Sequence, residues 1–441
     1  MTTPARILIV GGGYVGMYVA LRLQRRLRRD EARITVLNVD SYMTYQPFLP
    51  EAAAGSVEAR HVVVSLRRVL NKCAILNGWV VGVDPVARTV DLCPHEGPGR
   101  TLEYDLLVFA PGSISRTLPI PGLAERGIGF KSVEEAIHLR DHVLGKLDLA
   151  ESTTDRTVRA RALTFVFVGA GYAGVEALAE LEDMARDVCR YYPTVDPGDM
   201  RWFLVEATDR ILPEVGPEMG RWTVAQLRGR GIDVRLGTRL NSAVEGHIVL
   251  DDGTEFDADT LVWTAGVKPS PLVHASGLPL DGKSRVKATA ELVVQGFPDV
   301  FTAGDCAAVP DLTKPGEMCA PNAQNAVRQA RKLADNLVAT LRGGKRSPYR
   351  HAYAGSVATL GLHKGVAQIY GRKLRGLPAW FMHRTYHLSR VPTLNKKARV
   401  LTDWTFALLF RREIISLGAV TRPREEFEIA IRTESTFAAS R

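Results

Sequence analysis

The sequence predicts an α/β fold made of two Rossmann-like units and closed by an amphipathic helical tail. Three observations carry that prediction. Two glycine-rich turns each lie between an apolar strand and a helix. A late apolar strand ends in Gly304-Asp305. A basic, aromatic stretch follows Tyr370. Of the 441 residues, 46% are hydrophobic and 24% charged, an ordinary folded composition that accommodates two or three domains. The five cysteines are scattered and form no CxxC pair, which argues against a disulfide framework, a zinc site and a dithiol redox pair. No charged leader with an apolar core begins the chain, and no apolar run reaches the roughly 18–20 residues of a spanning helix, so neither a signal peptide nor a transmembrane helix is expected. No metal site is expected either.

In "ARILIVGGGYVGMYVALRLQRRL" the glycines are Gly11, Gly13 and Gly16. Gly11 permits the tight turn, Gly13 lets backbone approach a pyrophosphate, and Gly16 lets the helix pack on the strand, its N-terminal amides aimed at the phosphates. The second copy, "TFVFVGAGYAGVEALAELEDMA", carries Gly169, Gly171 and Gly174. Two such units imply two dinucleotide sites. A Rossmann site commonly places an acid at the end of its second strand, bonding the adenosine ribose. Glu206 stands there in the second unit, where a carboxylate accepts from the 2′-OH and repels a 2′-phosphate. That favours NADH over NADPH, with Arg210 as a mild counterweight. In the first unit Asn38 stands at that place, and Asp40 follows two residues on.

Each half then closes with a strand ending near alanine and glycine. "YDLLVFAPGS" contains Ala110 and Gly112, and "ADTLVWTAGVKPSP" contains Ala265 and Gly266. Each follows an alternating, turn-rich stretch that reads as a small antiparallel meander, "AILNGWVVGVDPVARTVDL" and "EGHIVLDDGTEFDADT". The chain is an internal duplication in outline. Further on, "CAPNAQNAVRQARKLADNL" reads as a helix starting near Pro321 and Asn322, with Gln324 and Arg328 one turn apart near its beginning.

Between Arg372 and Arg412 there are ten Lys or Arg and one acid, Asp403. Two amphipathic helices, roughly 378–390 and 399–412, set aromatics and leucines against basic residues. That pattern suits helices lying in a membrane interface, drawn to anionic lipid. It suits equally a hairpin packed on the body or on a second subunit. Nucleic acid is not expected, because no nucleic-acid motif accompanies the charge.

Taken in order, GGGYVG, YDLLVFAPG, GAGYAGVE, DTLVWTAGVKP and VFTAGDC resemble the two-dinucleotide-domain flavoprotein oxidoreductases. "SYMTYQPFLPEAAAG" and "APNAQNAVRQA" resemble, within them, the type II NADH dehydrogenases, which are non-proton-pumping NADH:quinone oxidoreductases. The resemblance implies FAD on the first unit and NADH on the second. It divides the chain into FAD-binding residues 1–118 and 290–375, an NAD(H)-binding insertion at 119–289, and a membrane-associating or dimerising tail at 376–441. It implies cofactor contacts for Gln46, Pro47, Ala323 and Gln324, and for Gly304 and Asp305 at the ribityl or pyrophosphate end of FAD. The family motif A-Q-x-A-x-Q is matched by Ala323, Gln324 and Ala326, but Arg328 replaces its last glutamine. Gln329 is displaced by one position, about 100° around the helix, and is expected to point elsewhere. Gln324 and Arg328 are thus expected to face the electron acceptor. Glu176 matches a family glutamate near nicotinamide and flavin, while by itself it reads as a first-turn carboxylate favoured by the helix dipole.

The resemblance further implies a peripheral enzyme on the cytoplasmic face of the membrane, a homodimer, and a membrane quinone as acceptor. The substitutions at Asn38 and Arg328 leave two alternatives, a soluble reductase serving a ferredoxin-like or other protein acceptor and a slow flavin redox sensor. Disulfide reductases of this fold need a cysteine pair that residues 40–60 lack.

Overall fold

The computed structural model describes residues 3–416 except 353, 411 and 413. Its first sheet is built on β1 (Ala5–Val10), β2 (Ala32–Asn38), β3 (Ala74–Asn77) and β4 (Leu106–Phe109). The spatial order is Val293–Val294, Phe297–Thr302, β4, β1, β2, β3, and every pairing but the first is parallel. Ile7–Val10 of β1 and the whole of β4 are continuous, buried apolar runs because helices and a meander cover both faces of the sheet. The second sheet contains β5 (Thr164–Val168), β6 (Arg201–Glu206), β7 (Ile232–Leu236) and β8 (Thr260–Trp263). Its order is Gly127–Ile128, β8, β5, β6, β7, all parallel.

The duplication is therefore present. Both units also carry a three-stranded antiparallel meander, at Trp79–Glu103 and Leu240–Asp257. One boundary differs from expectation. Ala74–Asn77 belongs to the parallel sheet as β3, paired with β2, and the first meander begins only at Trp79. Ser113–Ser115, just past β4, pairs antiparallel with Val267–Pro269, just past β8, and this ribbon ties the two units together.

The helices that matter for function are α1 (Tyr14–Arg26), α2 (Leu49–Ala53), α3 (Val133–Ser152), α4 (Tyr172–Val188) and α5 (Ala323–Leu341). In the tail they are α6 (Leu377–Arg390) and α7 (Leu394–Leu409). α3 starts on a capping box, with Ser132 accepting from the Glu135 amide and Glu135 accepting from the Ser132 amide. α5 starts where expected, with the Asn322 side chain accepting from the Asn325 amide. Residues 355–375, to which the sequence patterns assign no element, form a three-stranded antiparallel sheet. That sheet carries α6: a Cβ on Gly365 would lie 2.6 Å from the Trp380 amide nitrogen.

α6 matches its expected span. α7 begins earlier than expected because Thr393, after Pro392, caps the Lys396 amide, and it ends before Arg412. Trp380 and Trp404 are buried against the body, while Leu377, Phe381, Leu394, Leu401, Phe406, Leu408 and Phe410 are exposed. Among the described residues no helix is long and apolar enough to cross a membrane.

The glycine turns make the helix–strand contacts close. A Cβ on Gly174 would lie 1.9 Å from the Gly169 carbonyl oxygen and 2.5 Å from Thr264 Oγ1, whereas one on Gly171 meets nothing within 4 Å. Gly174→Ala is therefore expected to lose about 1–3 kcal/mol by overpacking, and Gly171→Ala about 1 kcal/mol or less. Urea unfolding of the two variants checks the contrast.

Candidate active site

Gly11 and Gly169 take the positive φ values of 96° and 104° that the turns require. A Cβ on Gly11 would strike the Ala110 carbonyl oxygen at 2.2 Å, and one on Gly169 would lie 2.7 Å from the Ala265 nitrogen. Strands β4 and β8 thus press on the turns from beside. A Cβ on Gly16 would lie 1.8 Å from the Gly11 oxygen, the same contact that Gly174 makes with Gly169. Gly13, Gly171, Gly112 and Gly266 face open space, with nothing within 4 Å of a built Cβ. First and third glycines serve packing, and the second leaves room for a ligand.

Asn38 and Glu206 prove equivalent. Asn38 Oδ1 accepts from the Gly12 amide at 2.8 Å and Nδ2 donates to the Asp40 carbonyl at 2.8 Å. Glu206 Oε2 accepts from the Ala170 amide at 2.7 Å, and Oε1 accepts from the Thr208 amide and hydroxyl at 2.9 Å each. Each side chain braces its own glycine loop at the residue after the first glycine. The amide of Asn38 does this as well as a carboxylate would, because the loop needs an acceptor and not a charge.

The late Gly-Asp turn is held from three sides. Gly304 has φ 78°, and its amide donates to Gln329 Oε1 at 2.8 Å. Asp305 Oδ2 accepts from Ser113 Oγ at 2.7 Å, and Ser113 Oγ accepts from Lys131 Nζ at 2.6 Å. Burial, opposed by Asp305 and Glu135, lowers the Lys131 pKa. The displaced glutamine of the α5 motif thus points elsewhere, as expected, and that place is the turn before Asp305.

A cavity of about 1270 Å³ runs from Tyr14, at the start of α1, and Asp305 past the second glycine turn to the start of α5. Gly171, Gly266, Asp305, Gln46, Pro47 and Glu176 line it, as do Ala323, Gln324 and Arg328. Gln46 Nε2 donates to the Lys131 carbonyl at 3.2 Å. Gln324 and Arg328 do lie together, but their roles differ. Gln324 Nε2 donates to the Gly355 carbonyl at 3.1 Å and its Oε1 accepts from the Ala354 amide at 3.3 Å. The expected acceptor contact is therefore spent on backbone. Arg328 Nη1 donates only to the Gln324 carbonyl, at 3.3 Å, and no carboxylate lies in ion-pair range among the described residues. Burial lowers its pKa.

Glu176 is not a solvated first-turn carboxylate. It is buried, its Oε1 accepts from the Thr359 amide at 2.9 Å, and His383 Nε2 lies 3.3 Å away as an ion pair not aligned as a hydrogen bond. One turn on, Glu180 Oε1 accepts from Thr359 Oγ1 at 2.8 Å, and Asp183 Oδ2 accepts from Arg412 at 2.6 Å. Glu51 of α2 accepts from Trp404 Nε1 at 2.8 Å and lies 3.4 Å from Arg384 Nε. The Arg384 guanidinium sits over the Trp380 and Trp404 rings at 4.1 and 4.7 Å. Sequence reasoning missed Glu51, Glu180, His383, Arg384 and Arg412. A signal existed in the i, i+4, i+7 spacing of Glu176, Glu180 and Asp183, which puts three acids on one stripe of a helix rich in alanine and leucine.

Burial lowers the His383 pKa, but Glu176, Glu51 and Glu180 outweigh it and raise it above the usual histidine value. Burial, then His383 and Arg390, lower His387 well below that value. Burial raises Glu180 against the pull of Arg412.

Residues 5–330 match the family model described as pyridine nucleotide-disulphide oxidoreductase. The chain is 30% identical to the type II NADH:quinone oxidoreductase of Staphylococcus aureus (strain NCTC 8325 / PS 47), over 86% of this chain and 93% of that one. It is 29% identical to the type II NADH:quinone oxidoreductase Ndh of Mycobacterium tuberculosis (strain ATCC 25618 / H37Rv), over 99% and 96%. The chain belongs to the type II NADH:quinone oxidoreductases. Its fold is that of NDH2 from Plasmodium falciparum solved in complex with NADH, with a TM-score of 0.85 at 18% identity, over 93% of this chain and 99% of that one. The members of this family use FAD and NADH. The open space over Gly13 and Gly171, framed by glycines that admit no side chain, fits a pyrophosphate at each cradle. All five cysteines are free thiols.

Gln329→Ala would leave the half-buried Gly304 amide without its partner. It is expected to cost about 1–3 kcal/mol and to loosen flavin retention, which urea unfolding and the flavin-to-protein absorbance ratio report. The raised pKa values of His383 and Glu180 both favour the protonated state in the folded protein. Their contribution is complete below the unfolded values, near 6.5 for His383, and is lost as pH rises through the folded ones. The facing charges, Glu51, Glu176, Asp183, Arg384, Arg412 and neutral His387, set this window. Tail docking is expected to be tighter at pH 6 than at pH 9, with His383→Gln flattening the dependence above neutrality. Limited proteolysis across that range tests it.

Proposed function

We propose that this protein is a FAD-dependent NADH:quinone oxidoreductase working at the membrane surface without pumping protons. The observation that carries the proposal is one cavity that runs from Tyr14 and Asp305 in the first unit, past Gly171 and Gly266 of the second, to the start of α5. Flavin, when bound, supplies the chemistry: hydride acceptance from NADH and two-electron delivery to a quinone, menaquinone or ubiquinone.

The protein's own residues then bind, orient and handle protons. The first cradle, Gly11, Gly13 and Gly16, together with residues 290–375, forms the FAD unit. Asp305 would hold the ribityl or pyrophosphate end, a reading supported by its fixing through Ser113 and the Gln329-held turn. The second cradle, within residues 119–289, takes NADH. Glu206 braces the loop, and its charge disfavours a 2′-phosphate. Gln324 shapes the acceptor end by tying α5 to residues 354–355. Arg328, with no carboxylate in ion-pair range among the described residues, donates to a quinone carbonyl. Glu176 at the cavity wall handles protons, with His383 holding one at the adjacent ring nitrogen. The exposed apolar residues of α6 and α7, beside their cations, support a peripheral seat on anionic lipid at the cytoplasmic face and pairing into a homodimer.

The test is anaerobic. The detergent-purified protein receives one equivalent of NADH and then a menaquinone analogue. Flavin absorbance is expected to bleach and then to recover rapidly. Arg328→Gln is expected to leave bleaching unchanged and to slow recovery about tenfold to a hundredfold, as loss of one preorganised donor does. Bleaching without quinone-driven recovery would overturn the quinone assignment and point to a protein acceptor.

A further inference from the structure

We propose that the cleft between residues 58–69 and the start of α7 binds the phosphate headgroup of an anionic phospholipid. This deepens the proposed membrane seat of the tail and rests on it.

The cleft has a volume of about 400 Å³, within the range of about 300–1,000 Å³ usual for small-ligand sites. Arg60, Arg68, Lys396 and Arg399 line it. None of these four cations has a carboxylate in ion-pair range among the described residues. Glu58, the acid on the cleft wall, accepts from the Arg60 amide at 3.4 Å. Asp403, the acid of α7, is engaged by His61 Nδ1 at 2.6 Å and the Glu58 amide at 3.1 Å. With Nδ1–H turned to Asp403, His61 Nε2 faces Arg399 Nη1 at 3.4 Å. Lys396 Nζ donates to the Arg60 carbonyl at 2.6 Å, which holds the first turn of α7 against the opposite wall. Burial, then Arg399 and Arg68, lower the Lys396 pKa.

Like charges gathered on separate elements repel unless an anion lies between them. A phosphate offers oxygens that accept from two guanidinium forks and an ammonium at once. The positive end of α7 opens on the same cleft through Thr393 and Asn395. A lipid, and not free phosphate, is indicated by the rest of the α7 face that carries Arg399. Phe406, seven residues on and so on the same side of the helix, is 55% exposed, and Phe410 follows one turn later at 68%. Their rings lie 5.8 Å apart, and the pair begins about 10 Å beyond Arg399 at 1.5 Å per residue. Cations in a recess on the same helix face as exposed aromatic rings match an amphiphile whose phosphate is seated and whose chains run along the helix.

The experiment uses the full-length, FAD-loaded protein in flotation with phosphatidylcholine vesicles, with or without phosphatidylglycerol. Lys396→Gln with Arg399→Gln, and separately Arg68→Gln on a different element, are compared with Lys364→Gln plus Arg372→Gln. Lys364 and Arg372 are exposed and lie outside the cleft. Every variant is checked for flavin content and NADH-driven bleaching. Compared per neutralised charge, the cleft variants are expected to lose about threefold more partitioning onto phosphatidylglycerol vesicles than the control pair, about tenfold for the double variant, against a background loss of about fivefold per charge. Equal losses in cleft and control variants would overturn the site and leave the membrane seat standing. A wild type that floats on neither vesicle would overturn the membrane seat and the headgroup site with it. Glycerol 3-phosphate that raises the wild-type melting temperature, but not that of the cleft variants, without any difference in flotation would overturn the lipid in favour of a soluble phosphate.

Discussion

Three carboxylates on one stripe of α4 must be compensated before this fold can close. Glu176, Glu180 and Asp183 sit on a helix whose other residues are largely apolar and buried. Unpaired buried charge costs several kcal/mol for each ion. The compensation comes from parts of the chain hundreds of residues later: the Thr359 amide and hydroxyl, His383 and Arg412. Glu51 adds a fourth acid from the first unit and receives Trp404 and Arg384. Fragments remote in sequence are thereby held to one wall of the cavity. The position of the tail follows from the electrostatics of the nucleotide-binding helix as much as from the tail's own hydrophobic pattern.

The same cluster shows where sequence patterns stop being informative. The glycine turns, the strands before them and the helices after them were legible because each is a local signal with a local cause. The Gly304-Asp305 turn and the start of α5 were legible for the same reason. The partners of this acid cluster were not, because they are set by tertiary contacts: Thr359 lies 183 residues beyond Glu176, and Trp404 353 residues beyond Glu51. The sheet at 355–375 escaped notice because its strands are only four or five residues long. The tail tryptophans look like interfacial anchors in sequence, yet a cation face-on to both rings keeps them inside.

The α5 motif shows how a one-residue displacement redistributes roles. Gln329 faces the sheet and ties down the turn before Asp305. Gln324 ties the other flank to residues 354–355. Both amides are consumed by backbone, so the cavity wall here owes its shape to glutamines and its charge to Arg328. Asn38 and Glu206 divide labour in a similar way. Each braces a loop, one with an amide and the other with a carboxylate.

The ribbon of Ser113–Ser115 with Val267–Pro269 has a mechanical consequence. The chain leaves each parallel sheet at these two places, immediately beyond Gly112 and Gly266, the second of which lines the cavity. Had the crossings run separately, each would be a single-strand hinge, and the units could swivel independently. Paired antiparallel, they resist twisting as a two-ply strap, because rotation of one sheet against the other must shear backbone hydrogen bonds. A stiff strap keeps the spacing between the two cradles nearly constant through each catalytic cycle. Bound partners are then brought into register by the scaffold, and little is asked of domain closure.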